Sequence, residues 1–454
     1  MEEVAPPKKK AWRYTLIALG ALLLMAYVLV LLPNQGKDEP LREEWRAFME
    51  AKPMAVPDGD NIYVAMAGFD AAEGENIFET GRRWMDKKEK DFAQDEREEE
   101  EEEKWEEWAR AEASKALRWQ KATPPFECHD RSGRDFLECA HLQEAHLEAE
   151  LSANETLLER YAVLQKLPLY VAPAFPDPWN VITIFELHKR LATAALLEAE
   201  GGDAEAGLAF FKEDMALWRR ALEGKRDGLL TVVAAFALSN NLDMLSLLLS
   251  LPSTKLEGQA SAWRELLAPL SQEQLNMRPV VEAELRLLHY VVRLFGKENG
   301  HVFLPNALMN GGAPFFNAWL KLSTLPWEDY MQQREEALAL WDTLSKPQRH
   351  WVYNPVGKWL FSKALRLVLN EGHWDNVIRG LHKSDAHLRM VRLQLELRIA
   401  SMPSEDIPAF LAQQNPAYCA PCTDFSWDVE TRKLSFQSWL EDRLEFYLPA
   451  VYLP

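Results

Sequence analysis

The residues best suited to chemistry are four cysteines, and they fall in two pairs. Cys128 and Cys139 bracket a polar loop holding Asp130, Ser132, Gly133 and Asp135, while Cys419 and Cys422 form a Cys-Ala-Pro-Cys. Four cysteines permit three pairings. The local one, 128 with 139 and 419 with 422, is favoured. Closing the first loop would contribute on the order of 3 kcal/mol by restricting the unfolded chain.

Cys-Ala-Pro-Cys has the spacing of the redox motif of thioredoxin-like oxidoreductases. A reactive pair of that kind needs a helix N-terminus to depress its thiol pKa, normally after a strand. Asn415-Pro416-Ala417-Tyr418 before it and Thr423-Asp424-Phe425-Ser426 after it are neither strand-like nor clearly helical. Structural disulfides are therefore expected at all four positions. A zinc site built from both pairs with His129, His141 or His146 is the competing reading. His141 and His146 are five apart, so a single helix does not put both on one face. The chain has no His-Glu-x-x-His, Gly-x-Ser-x-Gly, P-loop or Gly-x-Gly-x-x-Gly. No catalytic residue, metal ligand or cofactor is assigned. His373, His382 and His387 lie on amphipathic stretches without a motif partner, and Glu282 and Glu284 near His289 carry little weight in so acidic a chain. Asn154-Glu155-Thr156 matches a glycosylation sequon of a kind common by chance.

The elements that must position these residues begin with an uncharged segment, Tyr14 to Leu32. Nineteen residues at a helical rise of about 1.5 Å reach about 28 Å, close to the thickness of a bilayer core. Lys8, Lys9, Lys10 and Arg13 precede it, which predicts a cytoplasmic N-terminus. Val28 to Pro33 offers no Ala-x-Ala-like site, so an uncleaved anchor is expected rather than a signal peptide. No small-xxx-small seam is present. The division expected is a tail (1–13), a transmembrane helix (14–32), a Pro-broken juxtamembrane linker (33–60), a mixed segment (61–138) and an α-helical periplasmic domain (139–454).

Within the mixed segment, Pro57 to Asn61 reads as a turn and Asn61 to Phe69 as a short apolar strand or helix start. Residues 86–110 include six consecutive glutamates from Glu98 to Glu103, an exposed acidic arm. From Cys139 the period is helical, through Leu147, Leu151, Leu157, Tyr161 and Leu164. A helix is expected from Trp179 to Glu200, and Gly201-Gly202-Asp203 should end it and cap the next, 204–222. Gly228 to Leu238 reads as a buried core helix too short to span a membrane, because Ser239, Asn240, Asn241 and Asp243 interrupt it. Further helices are expected at 272–296, 327–345, 355–371 and 374–401. The Gly-, Asn- and Pro-rich stretch 297–326 reads as a long structured loop. Trp427 to Phe436 alternates around a polar turn, a small β-hairpin. Phe446 to Leu453 should pack back on the body. The fold class expected is mainly α: a membrane helix, then an irregular, helix-hairpin, solenoid-like domain with a small C-terminal β-hairpin.

A formal charge of −19 repels phosphate backbones, so nucleic acid is not an expected partner. Seventeen tryptophans point to aromatic burial. The segments Tyr353-Asn354-Pro355-Val356-Gly357-Lys358, Arg389-Met390-Val391-Arg392-Leu393, Trp427-Asp428 with Leu434-Ser435-Phe436, Asn61 to Phe69, and Leu304-Pro305-Asn306-Ala307 resemble a group of uncharacterised proteobacterial single-pass inner-membrane proteins. That resemblance implies a Gram-negative periplasm and no particular catalysis. The expected function is a membrane-tethered periplasmic scaffold or binding protein whose partners are the membrane and other envelope proteins. The alternatives are an envelope enzyme or ligand-binding protein with a site around 297–326, and a redox or metal protein using the cysteines.

Overall fold

The computed structural model describes residues 38–49, 57, 59–93, 116–128, 133–173, 180–251, 254, 256, 258–299, 303–345, 373–418, 424–428, 433–437 and 451–452. The anchor expected at 14–32, the glutamate run, His129, Cys419, Cys422 and the helix expected at 355–371 lie outside them. Among the described residues the protein is mainly α, with helices α1 (Glu43–Met49), α2 (Ile62–Ala67), α3 (Ile77–Ala93), α4 (Gly133–Leu142), α5 (Glu144–Ser152), α6 (Glu155–Lys166), α7 (Val181–Glu200) and α8 (Ala204–Glu223). Then follow α9 (Gly228–Ser250), α10 (Ala260–Leu266), α11 (Gln272–Leu275), α12 (Arg278–Asn299), α13 (Pro305–Leu322), α14 (Trp327–Ser345), α15 (His373–Ile399) and α16 (Ile407–Tyr418). The sheet has strands β1 (Asp424–Asp428), β2 (Lys433–Gln437) and β3 (Val451–Tyr452). The chain groups into two compact units. The smaller comprises Met1–Lys52, Leu285–Leu322 and Gln333–His373; the larger comprises Pro53–Glu284, Ser323–Gln332 and Trp374–Pro454.

In the larger unit, α7, α8 and α9 pack on one another, with α6 against α8. The Gly201-Gly202-Asp203 signal acts as expected: Gly202 takes φ +118°, and the Asp203 carboxylate caps α8 by accepting from Ala206 N at 3.0 Å. Asn61 caps α2 through Tyr63 N, at 3.1 Å. The same side-chain oxygen accepts from Val171 N at 3.0 Å, so a single amide ties the start of α2 to the strand-like segment after α6. Helices α2 and α3 cross at two glycines. A Cβ on Gly81 would lie 1.9 Å from the Val64 carbonyl oxygen, and one on Gly68 would lie 2.0 Å from that of Ile77. Only Gly permits so close an approach.

The hairpin is present and gains a strand. β1 and β2 pair antiparallel with Phe425 opposite Phe436, and β3 joins β2 with Leu434 opposite Val451. β3 lies against α9; the rest of the stretch from Phe446 to Leu453 lies outside the described residues.

Two expectations need correction. The stretch 297–326 is no long loop, because residues 305–322 form α13 with Pro314 inside it. Leu308, Met309, Phe315, Phe316, Trp319 and Leu320 are buried along it. The burial of those six side chains outweighs the roughly 1 kcal/mol that each interior Gly costs and the hydrogen bond lost at Pro314. The polar residues 239–243 do not end α9 either. It runs on to Ser250 and is long and apolar enough to cross a membrane, with 72% of that apolar stretch buried inside the protein.

The stretch expected to be a linker is likewise more than that from residue 38 onward. In the smaller unit the Asp38 carboxylate accepts from the backbone N–H groups of Asn306 at 2.6 Å and Ala307 at 3.2 Å, capping α13. Asn310 accepts from Arg42 N at 3.0 Å and donates to the Pro40 carbonyl at 3.0 Å. The Trp45 ring, 1% exposed, lies 5.3 Å from that of Phe316.

Candidate functional site

The strongest cluster of chemically able side chains sits among α6, α7, α8 and α9. Asp214 on α8 and His188 on α7 are both 0% exposed. The His188 Nδ1 lies 2.9 Å from Asp214 Oδ2. The Tyr161 hydroxyl donates a short hydrogen bond to Asp214 Oδ1. Asn241 Nδ2 donates to Oδ2 at 2.7 Å, and Gln165 Nε2 reaches Oδ1 at 3.3 Å. Burial alone would push the Asp214 carboxyl up, but the His188 ring and the hydrogen bonds from His188, Tyr161 and Asn241 outweigh it. The carboxyl is therefore held below the usual range. The Tyr161 hydroxyl is driven well above its ordinary value, first by burial and then by the Asp214 charge.

His188 resembles the histidine of a catalytic dyad, but its surroundings leave it nothing to do in catalysis. A general base presents one ring nitrogen to a substrate or nucleophile. Here one ring nitrogen faces Asp214 and the other, Nε2, lies 3.3 Å from Asn240 Nδ2, so both are engaged by protein side chains. Phe185 stacks on the ring at 5.8 Å and Trp218 meets it edge-on at 5.7 Å. What this arrangement does is hold four helices in register.

Sequence reasoning missed the cluster, although a signal was there. Asp214 stands between Phe210 and Phe211 one turn before and Leu217 and Trp218 one turn after. An acid in the middle of an apolar stripe must be buried with partners.

A second polar seam joins α9 to α15. Ser384 Oγ donates to the Ala235 carbonyl at 3.1 Å and lies 3.3 Å from Ser239 Oγ. His387 Nε2 is 3.6 Å from Asp243 Oδ1. Burial, reinforced by Lys383, pulls the His387 ring down to about 3.

Cations are used at helix ends. Arg398 donates to the carbonyls of Leu251 at 2.7 Å and Thr254 at 2.6 Å, and also to Leu249 at the end of α9. Arg160 holds those of Phe69 at 2.8 Å and Ala71 at 2.6 Å beyond α2. Arg220 reaches that of Gln165 at 2.6 Å. Lys225, 1% exposed, reaches those of Leu222 at 2.8 Å and Gln274 at 2.6 Å.

Cys128 and Cys139 are joined in a disulfide. The bridged segment is also held by Glu150, which accepts from Phe126 N at 2.9 Å and pairs with Arg190 at 3.1 Å. The histidines weighed as zinc ligands stand otherwise. His141 pairs with Glu200 at 2.6 Å, and His146 sits half-buried on α5. Glu282 pairs with Arg278 at 2.7 Å, Glu284 accepts from the Trp374 indole, and His289 lies 3.4 Å from Asn306 Oδ1. Asn154 of the sequon is 4% exposed. Its amide is held by Gln120 N at 2.8 Å and the Glu150 carbonyl at 2.6 Å, which makes it a structural residue. An open groove of 820 Å³ runs along α3 past Glu75, Asn76, Phe78 and Thr80. Its Arg83 is already engaged by Glu75 at 3.5 Å and Thr80 at 3.0 Å.

No protein-family model, curated protein or solved structure matches the chain.

Proposed function

We propose that the protein is a membrane-tethered helical scaffold or binding protein of the bacterial inner membrane. In this reading it crosses once through 14–32, keeps its basic N-terminus in the cytoplasm and places the rest in the periplasm. The observation that carries the reading is the docking of 38–45 onto α13. A flexible leash would leave the domain free to wander, whereas this one re-enters folded structure within a few residues of the apolar segment. The Cys128–Cys139 bridge suits an oxidising compartment, and the resemblance to proteobacterial inner-membrane proteins points the same way. A binding role is favoured over catalysis because His188 and Asp214 are enclosed and already partnered.

The experiment is a carbonate wash of membranes, protease treatment of spheroplasts, and purification in mild detergent. Retention in the washed membrane, digestion from the periplasmic side and a co-purifying envelope protein at near-stoichiometric yield are expected. Release by carbonate would refute the tether. A persistent lone monomer would refute the scaffold.

A further inference from the structure

The C-terminal half of α12 turns an apolar stripe outward. Leu287, Val291, Leu294 and Phe295 are exposed to 42%, 52%, 37% and 42%. Their spacing, i, i+4, i+7 and i+8, puts them on one helical face, while Leu285 and Val292 are buried. From Leu285 to Lys297 the sequence carries Arg286, Arg293 and Lys297 and no acidic residue, although the whole chain has a formal charge of −19. Large exposed apolar side chains interleaved with cations are the composition of a helix that lies in a lipid headgroup interface.

The place of the stripe in the smaller unit says which surface covers it. Phe295 lies 5.1 Å from Phe303, ring to ring. Gly296 packs so closely that a Cβ there would be 2.3 Å from Pro305 Cγ. The end of the stripe therefore abuts the start of α13, where Asp38 is bound. Six residue steps separate Leu32, the last residue of the apolar segment, from Asp38, and fully extended they reach about 20 Å. A chain leaving a bilayer at Leu32 thus holds this end of α12 close to the headgroups.

From this geometry we propose that the stripe rests on the periplasmic leaflet of the membrane the tether crosses, with an anionic phospholipid surface as its occupant. The proposal rests on the tether reading given above. Its test uses the full-length chain reconstituted in phosphatidylethanolamine–phosphatidylglycerol vesicles, with photoreactive benzoylphenylalanine in place of Val291, of Leu294, or of the exposed polar Asn317 as control. Lipid adducts at 291 and 294 should exceed those at 317 by at least about five-fold, and should fall in vesicles of phosphatidylcholine alone. Equal yields at all three positions in carbonate-resistant chains would overturn the stripe and leave the tether standing. Adducts joining two copies of the chain would also overturn it. Carbonate release of the reconstituted chain would overturn both readings.

Discussion

Replacing Asp214 by Asn tests whether the buried cluster is structural. The substitution keeps the volume and one oxygen, which can still accept from Tyr161. It turns the other position into a donor facing Asn241 Nδ2, 2.7 Å away, and His188 Nδ1, 2.9 Å away. His188 can relieve its share of the conflict only if its proton moves to Nε2 and the Asn240 amide turns its oxygen toward that nitrogen, which leaves the clash with Asn241 in place. Breaking one partner of a buried, hydrogen-bonded pair costs roughly 3–5 kcal/mol. Urea denaturation of the full chain in mild detergent should show that loss at pH 7. The carboxyl is held below its ordinary 3.8, so its contribution is complete above that pH and is lost as the pH falls through the lower folded value. The gap between wild type and variant should therefore be constant from pH 8 to 5 and close only below about 4. A variant within about 0.5 kcal/mol of wild type at pH 7 would refute the reasoning.

Other consequences are as direct. Arg398→Met should cost about 2–4 kcal/mol by leaving buried carbonyls without donors, and amide exchange should quicken first at the end of α9. Gly81→Ala, with a Cβ 1.9 Å from a backbone oxygen, should cost about 3 kcal/mol or more, read by the same denaturation. Reducing the Cys128–Cys139 bridge, or Cys139→Ser, should cost about 3 kcal/mol for a loop of this size. Unchanged midpoints with and without reductant would contradict it. His387 falls from 6.5 to about 3 in the fold, so the unfolded chain takes up that proton first as the pH drops. This group should lower stability by about 2 kcal/mol between pH 7 and 5, and His387→Gln should reduce the measured pH slope by that amount.

The helical fold, the Gly201-Gly202-Asp203 junction and the hairpin around Trp427 and Phe436 were legible because each is decided by neighbours in sequence. Residues 305–322 were not. Gly311, Gly312 and Pro314 read as breakers locally, and only the burial of Phe315, Phe316 and Trp319 makes them helical. Asn241 misled for a related reason. A polar residue in an apolar run looks like an interruption unless its partner is known, and that partner, Asp214, lies on another helix. The helical hairpins suggested a repeat-like array in which each element meets the next. The chain instead enters the smaller unit three times, and no local pattern records contacts between residues as distant as Asp38 and Asn306.

The cations at the helix ends have a further consequence for how the larger unit comes apart. Arg160, Arg220 and Arg398 each hold carbonyls at or just beyond the end of another helix, so the end of one helix is closed by a side chain from a different one. A helix finished by its own glycine can fray alone. One finished by a distant arginine can fray only when that arginine's helix shifts as well. Loosening should therefore spread between elements, and limited proteolysis of the larger unit should yield intact chain and small peptides with few stable fragments between.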